Sequence, residues 1–131
     1  MGETKSAMIR LLVVDDEAEI CDFLKCFFED RDFEVQTALS GEKALELVET
    51  FRPQVMLLDI KMGTMDGLAV LRKVKSKYPK IKVIMVTALE STDKIEEAMR
   101  NGADNYITKP LSLEYLENDV REKITSLSLK N

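Results

Sequence analysis

Histidine is absent from this 131-residue chain. That removes the commonest general base and metal ligand, so any chemistry must run on carboxylates, lysine, hydroxyls or thiols. Cysteine is scarce: Cys21 and Cys26 are the only two, and both fall in the first predicted helix. At that spacing they point about 140° apart around a helix and cannot bridge within it. They form no C-x-x-C motif and read as reduced thiols flanking the apolar face. No apolar run approaches the roughly 20 residues of a membrane helix. The N-terminal MGETKSAM is polar and lacks the apolar core of a signal peptide. Its first six residues fit the loose N-myristoylation pattern, but no basic cluster or second membrane signal accompanies them. The expectation is a cytoplasmic protein with a flexible tail over residues 1–8. A basic excess is also missing. The net charge of −5 argues against a nucleic-acid or anionic-membrane surface on this domain.

What is present suits one soluble domain: 45% hydrophobic and 33% charged residues. Apolar runs and helical patterns alternate. Ile9 to Val14 reads as a central strand buried on both faces. Glu17 to Asp30 is helical, with Ile20, Phe23, Leu24, Phe27 and Phe28 on one face. Phe33 to Ala38 is a shorter strand. Ser40 caps a second helix, striped by Ala44, Leu45 and Val48 and closed off by Pro53. Gln54 to Leu58 is the third strand, Met65 to Tyr78 the third helix and Ile81 to Val86 the fourth strand. Ser91 to Arg100 is a helix ending at a left-handed cap, Asn101-Gly102. Asn105 to Thr108 is the fifth strand. Ser112 to Ser126 is the last helix, with Leu116, Val120 and Ile124 inward. Five strand–helix units imply a parallel sheet with helices on both faces and right-handed crossovers. The domain is expected over residues 9–127, with a short tail over 128–131.

Ligand sites in such sheets lie beyond the carboxyl ends of the strands. Asp15, Asp16 and Glu17 follow the first strand, Asp59 the third, Thr87-Ala88 the fourth and Lys109-Pro110 the fifth. Carboxylates, one hydroxyl and one ammonium therefore converge at one end of the sheet. Adjacent carboxylates at the end of a buried strand repel each other, so a positive partner or good hydration is required there. Glu17 and Glu19 read most simply as first-turn residues favoured by the helix dipole. Asp66-Gly67 reads as a helix-start turn rather than a ligand.

Asp15-Asp16, Asp59 in LLDIKMGTMDG, Thr87-Ala88, Tyr106 and Lys109-Pro110 together resemble the receiver domain of two-component response regulators, the CheY-like superfamily. The resemblance covers residues 9 to about 127. It implies a flavodoxin-like, doubly wound five-stranded sheet in the order 2-1-3-4-5. It implies Asp59 as phosphoacceptor, forming an acyl phosphate. Asp16 and Asp59 would bind Mg²⁺ directly, Asp15 mainly through water, and the Lys61 backbone carbonyl would complete the protein ligands. Lys109 would offset charge on the transferring group and Thr87 would donate its hydroxyl to it. Thr87 would then draw in, Tyr106 would turn inward, and the face of the fourth helix, fifth strand and fifth helix would change shape for a partner. The Lys109-Pro110 bond would be cis, aiming the ammonium into the site.

The implied donor is a sensor histidine kinase or phosphotransfer protein. The output partner or effector domain is left open, as are a stand-alone or N-terminal place in a larger regulator and homodimerisation through the switching face on activation. The protein would be a phosphoacceptor with self-catalysed transfer and slow autodephosphorylation rather than a turnover enzyme. Gly63 stands where the family usually has proline, which should loosen that loop. Lys61 and Leu89 fall at positions that tune phosphoryl lifetime, and Leu89 is expected to exclude the attacking water. Rival readings fit less well. A haloacid-dehalogenase-type phosphatase typically shows D-x-D after the first strand and a larger, capped chain. A phosphorylation-independent receiver-like interaction module usually lacks the acceptor, an acidic residue or the lysine. A flavin site would want a hydroxyl- and glycine-rich loop after the first strand.

Overall fold

The computed structural model describes residues 8–61, 66–88 and 92–130. Five strands form one parallel sheet: β1 (Ile9–Val14), β2 (Phe33–Ala38), β3 (Val55–Asp59), β4 (Lys82–Thr87) and β5 (Asn105–Thr108), in the order β2-β1-β3-β4-β5. Helices α1 (Ala18–Glu29), α2 (Gly41–Phe51), α3 (Gly67–Lys77) and α4 (Thr92–Arg100) connect them. A C-terminal helix follows β5 as α5 (Leu113–Tyr115), a π-helical turn (Leu116–Val120) and α6 (Arg121–Ser128).

Side chains alternate across a strand, and that alternation builds two cores. Leu12, Val14, Met56, Leu58, Val83 and Met85 face α2, α3 and α4. Leu11, Val13, Val55, Leu57, Ile84 and Ile107 face α1 and the C-terminal helix. Every residue of β3 is buried, as expected of a central parallel strand. β2 lies at the edge and exposes Glu34 and Gln36.

The predicted elements are all present, with ends shifted by up to two residues. Ser40 caps α2, its hydroxyl accepting from the Lys43 N–H at 3.1 Å. Asp66 caps α3 through the Leu68 N–H at 3.0 Å. Gly102, at φ +101°, closes α4. Its N–H reaches the Met99 carbonyl and that of Ala103 the Ala98 carbonyl, the paired bonds of a Schellman cap.

Three details correct the sequence reading. Phe23 is 40% exposed, since it lies about 110° around α1 from the centre of the buried face. Cys21 is buried in the core while Cys26 is exposed, so the two thiols do not flank the apolar stripe symmetrically. The π turn was unforeseen. Residues spaced by four, such as Leu116, Val120 and Ile124, drift about 40° per step in an α-helix, and one wider turn absorbs the drift while burying all three.

Gly67 sits where two chain segments meet. A Cβ there would overlap the Asp59 carbonyl oxygen and lie 2.8 Å from that of Ile60. The Gly67 N–H donates to the same Ile60 carbonyl at 2.8 Å. Gly67→Ala is expected to cost about 1–3 kcal/mol through overpacking, read as a lower urea midpoint at unchanged m-value; an unchanged midpoint would refute the close packing of α3 under the end of β3.

Candidate functional site

The sheet's hydrogen bonding continues past the strand ends and fixes the residues beyond them. The Asp15 N–H donates to the Ala38 carbonyl at 3.1 Å, the Ile60 N–H to Val86 at 3.0 Å and the Lys109 N–H to Thr87 at 2.9 Å. Asp59 pairs in register with Val86, and Thr87 with Thr108. Residues on four connections are thus set by one rigid ladder.

Lys109 is the junction. Its ammonium lies 3.2 Å from Asp15 Oδ2 and 3.2 Å from Asp59 Oδ2. Both carboxylates are buried, at 3% and 7% exposure. Their other oxygens accept backbone N–H groups: Asp15 Oδ1 from Glu17 at 2.9 Å, Asp59 Oδ1 from Lys61 at 3.2 Å. The Lys109–Pro110 bond is cis. Behind Asp15, the buried Cys21 thiol faces the Asp15 carbonyl at 3.4 Å. Burial first, then the Asp15 charge, pushes that thiol up to about 11, so it stays protonated and acts in packing.

Two buried carboxylates around one ammonium leave negative charge uncompensated. Burial, then the neighbouring Asp15 charge, raises Asp59 from 3.8 to about 6, against the opposing pull of Lys109. Burial works against the Lys109 charge, but the Asp59 and Asp15 carboxylates outweigh it and hold that ammonium above its ordinary pKa.

A pocket of about 290 Å³ opens over this junction, lined by Asp16, Glu17, Asp59, Lys61, Thr87 and Lys109 among others. The structure therefore gathers Asp16, Asp59, Lys61, Thr87 and Lys109 on one pocket, with Asp15 behind it. Thr87 is buried, and its hydroxyl donates to the Ala88 carbonyl at 3.2 Å. Tyr106 does not line the pocket; it stands 42% exposed on β5. Leu89 and Gly63 lie outside the described residues.

The sequence reads Glu17 most simply as a first-turn helix residue. It is instead the N-cap position of α1, with no side-chain capping bond. Its carboxylate comes within 4.8 Å of ligand atoms of Asp15 and Asp16. Three consecutive acidic residues were the available signal. Hard carboxylate oxygens with an uncompensated charge suit a hard divalent cation such as Mg²⁺.

The family profile described as response regulator receiver domain matches residues 11–121. The chain belongs to the response regulator receiver domain family. The regulatory protein AtoC of Escherichia coli is 35% identical over 125 residues, covering 95% of this chain and 27% of that protein. The heme response regulator HssR of Staphylococcus aureus is 36% identical over 109 residues, covering 83% of this chain and 48% of HssR. The receiver domain thus spans about a quarter to a half of the length of these relatives. A CheY-like receiver domain protein from Methanospirillum hungatei superposes with a TM-score of 0.83 at 32% identity, covering 92% of this chain and 96% of that one. Receiver domains belong to two-component systems, are phosphorylated by histidine kinases and generally use Mg²⁺ to do so.

The raised Asp59 has a sign that can be tested. A carboxyl whose folded pKa exceeds its unfolded value binds its proton more tightly in the fold. Stability is therefore lost as pH rises from about 4 towards the folded value of about 6. Asp59→Asn cannot ionise. In chelator at pH well above 6, it should be more stable than wild type by about 1–2 kcal/mol, after discounting for solvent in the pocket. The gain should shrink towards zero near pH 4. Urea melts across this range check it, and a gain independent of pH would refute the electrostatic origin.

Proposed function

We propose that this receiver domain accepts a phosphoryl group on Asp59 from a histidine kinase or phosphotransfer protein, in a Mg²⁺-dependent reaction. The observation that carries the reading is the Lys109 ammonium at 3.2 Å from both Asp15 and Asp59. It holds a buried carboxylate at the mouth of a polar pocket with its counter-charge already in place. An ionised Asp59 oxygen attacks phosphorus, a bond to the donor nitrogen breaks, and an acyl phosphate forms. Lys109 offsets charge on the transferring oxygens without reorganising. The Thr87 hydroxyl, now on the Ala88 carbonyl, turns to a phosphoryl oxygen. Asp16, Asp59 and the Lys61 carbonyl would hold Mg²⁺, with Asp15 acting mainly through water; Glu17 joins the same rim. The bound ion supplies positive charge that phosphoryl transfer needs more than covalent help.

The chain has no histidine, so the donor imidazole lies outside it. An apolar groove of about 650 Å³ beside Lys109, lined by Ile20, Phe23, Pro110 and Leu111 among others, supports a protein donor. The exposed Met99, Tyr106 and Leu113, on α4, β5 and α5, support an output surface there, reshaped when Tyr106 turns inward. Two unpaired thiols support a reducing, cytoplasmic setting.

The test is intact-mass spectrometry after incubation with Mg²⁺ and a small acyl-phosphate donor. Wild type should gain one labile phosphoryl group, and Asp59→Asn or chelated wild type should gain none. No gain with any donor would sink the phosphotransfer reading in favour of a phosphorylation-independent interaction module.

A further inference from the structure

α2 and α3 lie on the same face of the sheet, and an open groove of about 610 Å³ runs between them. Its two rims have opposite charge. On α2, Glu42, Glu46 and Glu49 line it, at the spacing that puts residues on one helix face. On α3 the lining cations are Arg72, Lys73 and Lys77. Leu45, Val48 and Val74 give the groove an apolar floor. One ion pair bridges the rims, Lys77 to Glu49 at 3.0 Å, with both side chains more than half exposed. Exposed pairs of this kind contribute little and exchange partners readily.

A groove with one acidic and one basic rim is complementary to itself. Turning a second copy about an axis along the groove sets each acidic rim on the other copy's basic rim and covers both apolar floors, as an isologous contact requires. We propose that the α2–α3 groove is a contact surface for a second copy of this chain. The charges fix orientation and register, and the half-buried Leu45 and Tyr78 supply the apolar burial, since Val48 and Val74 are already buried. Eleven residues line the groove, about half of a standard interface, so the dimer is weak and its rims make it salt-sensitive. None of the groove's residues lines the Asp59 pocket. Pairing here is therefore independent of phosphorylation, and distinct from association through the face that carries Tyr106.

The test swaps rims. One variant carries Glu42→Lys, Glu46→Lys and Glu49→Lys; the other carries Arg72→Glu, Lys73→Glu and Lys77→Glu. Sedimentation velocity from micromolar to millimolar concentration should show wild type dimerising at low salt and dissociating at high salt. Each variant alone, with like-charged rims, should dimerise more weakly by about tenfold or more. An equal mixture should restore pairing, because every rim again meets its opposite. Circular dichroism and phosphoryl uptake report folding; if a triple variant is unfolded, the single pair Glu46→Lys and Lys73→Glu replaces it. A wild type that stays monomeric to millimolar concentration overturns the proposal. So does a dimer unaffected by either variant, or a mixture of folded variants that fails to pair. A monomeric wild type that instead binds an amphipathic helical peptide with one acidic and one basic edge would assign the groove to a partner helix.

Discussion

Two buried carboxylates share one ammonium, and the rest of the structure is arranged to keep them there. Asp15 and Asp59 would repel each other in a low-dielectric site, yet Lys109 holds both at 3.2 Å. No local contact could maintain that arrangement against the repulsion. The sheet does: β1, β3 and β4 are buried on both faces, and their ladder bonds run on into Asp15, Ile60 and Lys109. Apolar burial of the strands is what stabilises a cluster that is unfavourable by itself.

Packing also decides which part of the fold can respond. α1 buries four residues and is tied to β2 by an edge-to-face contact between Phe28 and Phe33. α4 buries only Ala98. Its C-terminal end is nevertheless anchored, by the Schellman cap and by Asp104, whose carboxylate takes both the Lys75 ammonium and the Val83 N–H at 2.8 Å. A helix anchored at its C-terminal end and with little buried surface along its length is held lightly. It starts from the connection that follows Thr87, and its neighbour β5 carries the outward Tyr106. On the proposed phosphotransfer reading, a change at Thr87 would act on this lightly held helix.

Much of this was legible in the sequence because it rests on short-range rules. Continuous apolar runs marked central strands, Ser40 and Asp66 marked helix starts, and Gly102 marked a helix end. The convergence of Asp15, Asp59, Thr87 and Lys109 followed from their places just beyond the carboxyl ends of predicted parallel strands. What escaped depends on contacts between distant segments. Gly67 looked like a turn residue, but its lack of a side chain is required by the carbonyls of Asp59 and Ile60. Glu17 looked like a helix-dipole residue, and its place on the pocket rim depends on how α1 leaves β1. The opposed rims of the α2–α3 groove are two ordinary solvated faces in sequence, and only their side-by-side packing gives them meaning.

The size of the charge imbalance bears on how such a site can signal. Raising Asp59 from 3.8 to about 6 corresponds to about 3 kcal/mol, trimmed by solvent in the pocket. Moving a two-state equilibrium from one dominant form to the other takes about 5.5 kcal/mol of differential affinity. Relief of that burial cost and repulsion together therefore falls short of a full switch. On the proposed phosphotransfer reading, the balance has to come from contacts made in only one state, and Thr87 would make one. Among the described residues its hydroxyl donates to the adjacent Ala88 carbonyl, and a charge-assisted bond to a phosphoryl oxygen would be roughly twice as strong. On that reading, the strain at the carboxylates would load the site, and the hydroxyl at the end of β4 would turn that load into a choice between conformations.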